Sequence, residues 1–230
     1  MPEAPPRPTV SRSRQNYLKA LLQLGADGAV PVSQLARRLG VSAPSVTNML
    51  ARLAEERLVE LGPRGAARLT ASGERAAALV LRRHRLLETF LARVLELDWS
   101  EVHAEAEELE HHVSERVIDA IEHCLGQPTE DPHGHPIPDR NGRLPRRALS
   151  PLAALPEGAR ARVLEVRGGE DPSRLTRWKR SGLVPGAQVR MLEAHPEDGV
   201  FTLEISGRRV VSGREGLDGV MIERPARGKT

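Results

Sequence analysis

Residues 103–111 place polar side chains on a stripe that a helix of a soluble protein normally fills with apolar ones. His103, Glu107, Glu110 and His111 follow the spacing i, i+4, i+7 and i+8, which keeps side chains on one face of an α-helix. Two carboxylates on a partly buried face repel each other, and a divalent cation is the simplest way to neutralise them. The stripe therefore predicts a helix that faces a second ligand-bearing segment rather than an ordinary apolar core.

A second pair of the same chemistry lies on the preceding predicted helix, where His84 and Glu88 are spaced i, i+4. Two antiparallel helices that face one another would bring all six side chains to a shared metal site. Imidazole and carboxylate ligands without a thiolate favour Mn, Fe(II), Co, Ni or Zn over Cu(I) or iron–sulfur clusters. The alternative is a solvated Glu-rich face, which is how we interpret Glu101, Glu105, Glu108 and Glu115.

Charge is distributed unevenly along the 230 residues. Residues 1–70 contain ten Arg and Lys against five Asp and Glu, whereas residues 71–125 contain six against twelve. A basic N-terminal part beside an acidic middle fits a nucleic-acid-binding segment joined to a cation-binding one. The single cysteine, Cys124, permits no intramolecular disulfide, and neither a membrane span nor a signal peptide is apparent, so we expect a cytoplasmic protein.

Residues 12–71 have the order of a winged helix-turn-helix, preceded by a Pro-rich segment, residues 1–11, that we expect to be disordered. Predicted helices cover residues 12–25, 34–39 and about 43–56, with Ser42 as the N-cap of the third. Strands at 58–61 and 67–70 then flank a turn of Gly, Pro and Arg. A generic small helical domain is the alternative, but the tight turn and the polar third helix favour DNA binding.

In a helix-turn-helix the first residues of the recognition helix reach base edges in the major groove, and basic residues around it contact phosphates. Asn48 can pair bidentately with adenine, and Pro44 can contact a thymine methyl. Four arginines are the expected phosphate contacts. The predicted DNA-binding residues are Arg37, Arg38, Ser42, Pro44, Ser45, Thr47, Asn48, Arg52 and Arg64.

The rest of the chain divides into three parts. Residues 72–126 predict two long helices, one to about Leu97 and one from Ser100 to Leu125. The second has a further apolar face, which suggests a dimer interface, and the alternative is that this face packs only within the monomer. Residues 127–150, rich in Pro and Gly, are interpreted as a linker, and its His133 and His135 are left out of the site because histidines in surface loops are usually not ligands. Short strands from residue 151 to 226 predict a small SH3-like β-barrel. The expected fold class is mainly α with small β.

Several motifs together resemble the diphtheria-toxin-repressor family of metal-dependent transcriptional regulators, including its manganese-responsive branch. The stretches that carry this resemblance are residues 42–47, 83–88, 102–103, 110–111 and 132–138, which read SAPSVT, RHRLLE, VH, EH and PHGHPIP. The resemblance covers residues 12 to about 225. It implies a homodimer that binds palindromic operator DNA when metal is bound and represses metal-uptake genes.

The resemblance also implies the ligands. His84, Glu88 and His103 match one ligand group of the family, and Glu107, Glu110 and His111 match the other. Iron-type members have Cys where this chain has Glu107, and a hard carboxylate there favours Mn(II), with Fe(II) as the second choice.

Further ligands implied by the resemblance depart from the family pattern. The ligand that the family takes from its first helix corresponds to Asn16, where manganese-type members have an acid, and the second acid nearby is replaced by Lys19. A ligand from the C-terminal barrel corresponds to Asp171 or Glu170. The ligand set expected outside the helical pair is therefore Asn16, Asp171 and Glu170.

The sequence thus predicts a metal-dependent transcriptional regulator in which metal orients the DNA-binding arms of a dimer. Two rival interpretations stay open at this point. One is a winged-helix regulator that is not gated by metal, and the other is a metal-dependent hydrolase. The second is disfavoured because the sequence has no His-Glu-x-x-His motif, phosphate loop or nucleophile elbow.

Overall fold

The computed structural model of the protein describes residues 12–25, 28–168 and 171–223. The contacts divide the chain into two compact units, and the boundary falls within one long helix. One unit holds the chain up to Arg83 together with Pro138–Leu144, and the other holds His84–Ile137 and the chain from Pro145 onward. The predicted disorder of residues 1–11 lies outside the described residues.

The N-terminal unit is built from three short helices and a β-hairpin. They are α1 (Arg12–Leu24), α2 (Val32–Leu39), α3 (Ala43–Glu55), β1 (Val59–Leu61) and β2 (Ala67–Leu69). Gly40 ends α2 in the left-handed region with φ 64°, and the Ser42 hydroxyl then accepts the Ser45 amide hydrogen to cap α3. The hairpin pairs antiparallel, with Val59 opposite Leu69. The predicted order of a winged helix-turn-helix is confirmed.

A hydrophobic core holds this unit together. Its fully buried members come from every helix of the motif and include Leu18, Leu21, Leu35, Leu50 and Leu53. The exposed residues of α3 lie on the opposite side of the helix from Val46, Leu50 and Leu53. This packing fixes one face of α3 in the core and leaves the other available for a partner.

The long helix α4 (Ala71–Arg93) begins where the Thr70 hydroxyl accepts the Gly73 amide hydrogen at 3.0 Å. It ends before the predicted Leu97. In the N-terminal unit, Arg82 of α4 donates to the carbonyl oxygen of Pro138 at 2.9 Å. Residues 127–150, expected to be a linker, contribute to both units: Pro138–Leu144 belong to the N-terminal unit, and Ile137 belongs to a hydrophobic core of the second unit.

The second unit contains a correction to the predicted helix over residues 100–125. The structure has two helices there, α5 (Val102–Leu109) and α6 (Glu115–Cys124), separated by a turn. The break has a local cause, because the Ser114 hydroxyl accepts the Val117 amide hydrogen and caps α6. Glu110 and His111 consequently lie in the turn after α5 rather than within a continuous helix.

The C-terminal part is a six-stranded antiparallel sheet in the order β3-β8-β4-β5-β6-β7. The strands are β3 (Leu149–Pro151), β4 (Arg160–Val166), β5 (Gln188–His195), β6 (Val200–Ile205), β7 (Arg208–Gly213) and β8 (Val220–Glu223). The short strands predicted for this part of the chain are present. The helices α7 (Pro172–Ser181) and α8 (Arg214–Leu217) lie between these strands and were not predicted from the sequence.

Within the second unit, Asp98 and Trp99, in the segment before α5, contact the barrel. Lys179 of α7 donates to Asp98 Oδ2 at 2.5 Å, which lowers the pKa of Asp98 to about 2 together with hydrogen bonds from Ser100. Trp99 packs against the barrel core, in which Trp178 and Phe201 are the largest buried side chains. The segment before α5 is therefore anchored on the barrel.

Candidate metal centre and DNA-binding helix

Three ligand atoms from α4 and α5 form a nearly equilateral triangle. His84 Nε2 lies 3.0 Å from Glu88 Oε1 and 3.1 Å from His103 Nδ1, and the last two atoms are 2.9 Å apart. Neighbouring ligands of an octahedral ion with bonds of about 2.1 Å are separated by about 3 Å. The three atoms are therefore spaced as one face of an octahedral coordination sphere.

The other ring nitrogen of His84 faces a second group of carboxylates. His84 Nδ1 lies 2.8 Å from Glu110 Oε2 and 3.9 Å from Glu107 Oε1. Glu107 Oε1 is also 3.9 Å from His103 Nε2, and Glu110 Oε1 is 3.4 Å from His111 Nε2. The structure thus brings all six predicted side chains of the helical pair together, with His84 common to both groups.

The environment of these groups favours a bound cation. His84, Glu88 and Glu110 are almost fully buried, and the cluster holds three carboxylates against three imidazoles. Burial would raise the pKa of Glu88, but the charge of His84 and hydrogen bonds with His103 and His84 outweigh it, so the pKa lies well below its ordinary value. Charged carboxylates at this depth need positive charge nearby, which divalent ions supply.

The donor set fits a hard or borderline divalent ion, since it consists only of imidazole nitrogens and carboxylate oxygens. Glu107 of the second group lies on α5, and the turn that follows α5 carries Glu110 and His111. Their role as ligands stays a prediction.

The other predicted ligands are Asp171, Glu170 and Asn16. Asp171 is an exposed N-cap of α7, and its Oδ1 accepts the amide hydrogens of Ser173 and Arg174. It belongs to none of the ligand clusters found among the described residues. Glu170 lies outside the described residues. Asn16 is on α1 in the N-terminal unit, where its Oδ1 is buried and has no hydrogen-bond partner within the described part of the chain.

The predicted DNA-binding residues lie on or beside α3. Ser42, Pro44, Ser45, Thr47, Asn48 and Arg52 are all exposed, as are Arg37 of α2 and Arg64 at the tip of the β-hairpin. Arg38 is half-buried and donates to Gln23 at 3.0 Å. The Ser42 hydroxyl caps the helix and the Thr47 hydroxyl donates to the Ala43 carbonyl, so both also have structural roles. Asn48 and Arg52 are the exposed residues best suited to read a partner.

Comparison with known proteins assigns each part of the chain to a family. Residues 9–67 match the N-terminal DNA-binding domain of iron-dependent repressors, and residues 70–139 match the metal-binding and dimerisation domain of the same proteins. Residues 150–224 match the FeoA domain. The chain belongs to the iron-dependent repressor family. The resemblance seen in the sequence is confirmed.

Individual relatives cover nearly the whole of this repressor-family chain. The iron-dependent repressor IdeR of Mycobacterium leprae is 32% identical over 225 residues, covering 90% of this chain and 95% of the relative. A solved manganese-dependent transcriptional repressor in complex with manganese is 37% identical, with a TM-score of 0.84, and covers 91% of this chain and 99% of the other. The repressor ScaR with bound Cd²⁺ is 29% identical, with a TM-score of 0.79 and coverages of 92% and 99%.

Sequence analysis missed one cluster of possible ligands. Asp131, His133 and His135 each offer a ligand atom, and the three atoms lie within 4.8 Å of one another. The sequence predicts that both histidines lie in a surface loop, whereas His133 is 1% exposed. The available signal was the aspartate two residues before His133, because an aspartate at that spacing can fold the loop back by accepting its backbone amides.

Proposed function

We propose that this chain is a metal-dependent transcriptional repressor that binds operator DNA when a divalent metal ion occupies the helical cluster. Mn(II) is the first candidate for this ion, and Fe(II) is the second. The observation that carries this proposal is the convergence of the six side chains of α4, α5 and the following turn in the metal-binding domain of a repressor-family chain. The same chain has a winged helix-turn-helix with an exposed polar recognition helix. The candidate metal site and the candidate DNA-binding motif therefore belong to one chain.

Mn(II) is proposed first because of the donor atoms. Among the described residues the cluster offers no thiolate, and Glu107 places a hard carboxylate at the position where the family resemblance implies Cys in iron-type members. The similarity to a manganese-dependent repressor solved with manganese supports this order. The similarity to iron-dependent IdeR keeps Fe(II) as the second candidate, and other divalent transition metals would also bind in vitro.

We propose that metal acts by thermodynamic linkage in a homodimer. A dimer with two recognition helices matches a palindromic operator with half-sites one helical turn apart. Without metal, the two DNA-binding domains of the dimer sample several orientations. If bound metal restricts them to the orientation that matches the two half-sites, DNA binding becomes stronger, and DNA must strengthen metal binding by the same factor. Coupling of this kind is typically about 1–3 kcal/mol, or roughly 5- to 150-fold in affinity.

Our proposals for the regulated genes and for the cellular compartment rest on the family resemblance and not on the geometry of the metal site. Repression of metal-uptake genes is the role that the resemblance implies, and a regulator that binds genomic DNA is expected to work in the cytoplasm. No helix in the described part of the chain is long and apolar enough to cross a membrane. The relatives are repressors rather than enzymes, and we propose that this chain binds metal without catalysing a reaction.

The first experiment titrates the chelator-stripped protein with Mn(II), anaerobic Fe(II) and Zn(II) while DNA affinity is measured. The probe is promoter DNA of its own genome, selected from sheared fragments with the Mn(II)-loaded protein. We expect Mn(II) to tighten binding by about 30-fold, because the middle of the usual coupling range is about 2 kcal/mol. Glu107→Ala should abolish this gain.

Glu105→Ala is the matched control, since Glu105 is an exposed glutamate of the same helix α5. It should keep the full response to Mn(II). Tight DNA binding that ignores both metal and Glu107→Ala would instead support a winged-helix regulator that is not gated by metal.

A further inference from the structure

A second set of ligand side chains lies in the loop between α6 and the barrel, in residues 131–135. Its members are Asp131, His133 and His135, and none of them belongs to the helical cluster. Asp131 is 4% exposed and His133 1% exposed, whereas His135 is half-buried. The loop therefore presents one buried carboxylate and two imidazoles with a route to solvent beside His135.

Backbone hydrogen bonds orient the Asp131 carboxylate. Its Oδ1 accepts the amide hydrogens of His133 at 2.8 Å and His135 at 3.0 Å. Its Oδ2 then lies 3.1 Å from His135 Nδ1. This is close to the separation of about 3 Å that neighbouring ligands have on an octahedral ion. The two atoms can ligate one ion without rearrangement of the loop.

A contact outside the cluster sets the tautomer of His133. Its Nε2 lies 2.9 Å from the carbonyl oxygen of Trp99. A carbonyl oxygen can only accept a hydrogen bond, so Nε2 carries the proton and Nδ1 keeps its lone pair. Ligating histidines commonly donate their other ring N–H to a backbone carbonyl in this way, which fixes the ring and raises its basicity as a ligand.

The loop is held rigidly in this conformation. Gly134 has φ +85°, and a Cβ at this position would lie 1.9 Å from the Leu164 carbonyl oxygen, so no other residue fits. The carbonyl oxygen of His133 accepts the Val166 amide hydrogen at 2.9 Å. The barrel therefore preorganises the three side chains, which lowers the entropic cost of binding a ligand.

One neighbouring cation competes with a metal at this place. Arg85 Nε lies 3.4 Å from Asp131 Oδ2, and Arg85 Nη1 donates to the Pro136 carbonyl oxygen. A bound ion would share the carboxylate with this guanidinium. We therefore expect weaker binding here than in the helical cluster, where the charges are predominantly carboxylate.

We propose that Asp131, His133 and His135 form an additional binding site for a divalent transition-metal ion, separate from the helical cluster. The donors are Asp131 Oδ2, His133 Nδ1 and an imidazole nitrogen of His135, and water would complete the coordination. Two imidazoles and one carboxylate select borderline ions such as Zn(II) or Co(II) over Mg²⁺ and Ca²⁺. This proposal does not depend on DNA binding.

The test counts Co(II) ions bound to the chelator-stripped full-length protein by equilibrium dialysis, with the visible spectrum of Co(II) as a second readout. His135→Gln should bind one ion fewer per chain, or bind that ion roughly ten- to hundredfold more weakly. His195→Gln is the matched control, because His195 is an exposed histidine of β5 that belongs to none of the described ligand clusters.

A second background measures the loop site alone, because two histidines of the helical cluster are removed from it. In protein that carries His84→Ala and His103→Ala, the loop site should still bind one Co(II), and adding His135→Gln should remove it. Circular dichroism checks that each variant is folded. Equal stoichiometry and equal affinity for Co(II) with and without His135→Gln would overturn the proposal, as would an equal loss in His195→Gln.

Discussion

Glu110 has no exposed surface, and each of its carboxylate oxygens faces an imidazole. Oε2 lies 2.8 Å from His84 Nδ1, and Oε1 lies 3.4 Å from His111 Nε2. A buried carboxylate is costly unless it is paired, so this side chain depends on positive charge from protonated histidines or from a metal. A bound metal ion would supply this positive charge in place of the protons on the histidines. Glu110 is therefore the residue through which metal binding should most directly change the stability of the fold.

At the residue scale we expect Glu110→Gln to remove most of the stabilisation that Mn(II) gives. The amide keeps the shape but loses the charge that binds the ion. A ligand at about 100 times its Kd stabilises a protein by about 2.7 kcal/mol, so wild type should show a clear rise in melting temperature with excess Mn(II). Glu110→Gln should show little rise and Glu105→Gln the wild-type rise. An equal rise in all three would contradict the assignment.

Single residues also show how far the sequence could lead. The six ligand candidates of the helical pair were predictable because their type and spacing are unusual for a helix. Asp171 was predicted as a ligand, but the structure uses it to cap α7, and the Pro172 that follows it is the local signal for that role. The aspartate two residues before His133 indicates a folded loop, but the burial of Asp131 and His133 could not be predicted from sequence, because it depends on the barrel packed behind Gly134.

At the scale of elements, the structure differs from the sequence-based prediction between α5 and α6, where two helices replace one. Helical periodicity continues through residues 100–125, so it predicted one helix. The Ser114 cap and the turn at Glu110 and His111 override it. The winged helix-turn-helix was predictable in full, since Gly40, Ser42 and the hairpin turn are strong local signals. The helix α7 was missed because it lies within a run of strands.

The ion pair between the start of α5 and α7 predicts a pH-dependent contribution to stability. Asp98 has a folded-state pKa of about 2, below its ordinary value of 3.8, because of Lys179 and Ser100. A lowered pKa stabilises the folded state above the unfolded pKa, and this contribution is lost as the pH falls through about 2. Both side chains are substantially exposed, so the effect is no more than about 1 kcal/mol.

Asp98→Asn tests this contribution in the metal-free protein. Its urea midpoint should be below that of wild type at pH 7, and the difference should shrink steadily as the pH is lowered from 5 toward 3. Asp218→Asn is a comparison on the barrel surface, since Asp218 also pairs with a basic residue, Arg174. A difference for Asp98→Asn that is independent of pH would show that the charge of Asp98 is not what stabilises the junction.

At the scale of the whole molecule, the helical part of the second unit has exposed apolar side chains. Val94, Leu95, Leu109 and Val117 are between 37% and 53% exposed, and they lie on or next to α4, α5 and α6. The family assigns dimerisation to this part of the chain. All six side chains of the helical cluster come from one chain, so metal binding and dimerisation are separable by mutation.

We therefore expect Leu95→Glu to separate sensing from DNA binding. The charge would disfavour burial of this surface in a dimer, and analytical ultracentrifugation should show a monomer. Mn(II) affinity without DNA should stay within about threefold of wild type, because no ligand is altered. The tightening of DNA binding by Mn(II) should disappear, since a monomer reaches only one half-site. Val211→Glu, at an exposed position of β7, should remain dimeric and responsive. A monomeric Leu95→Glu that kept the full metal response would mean that metal acts within a single chain.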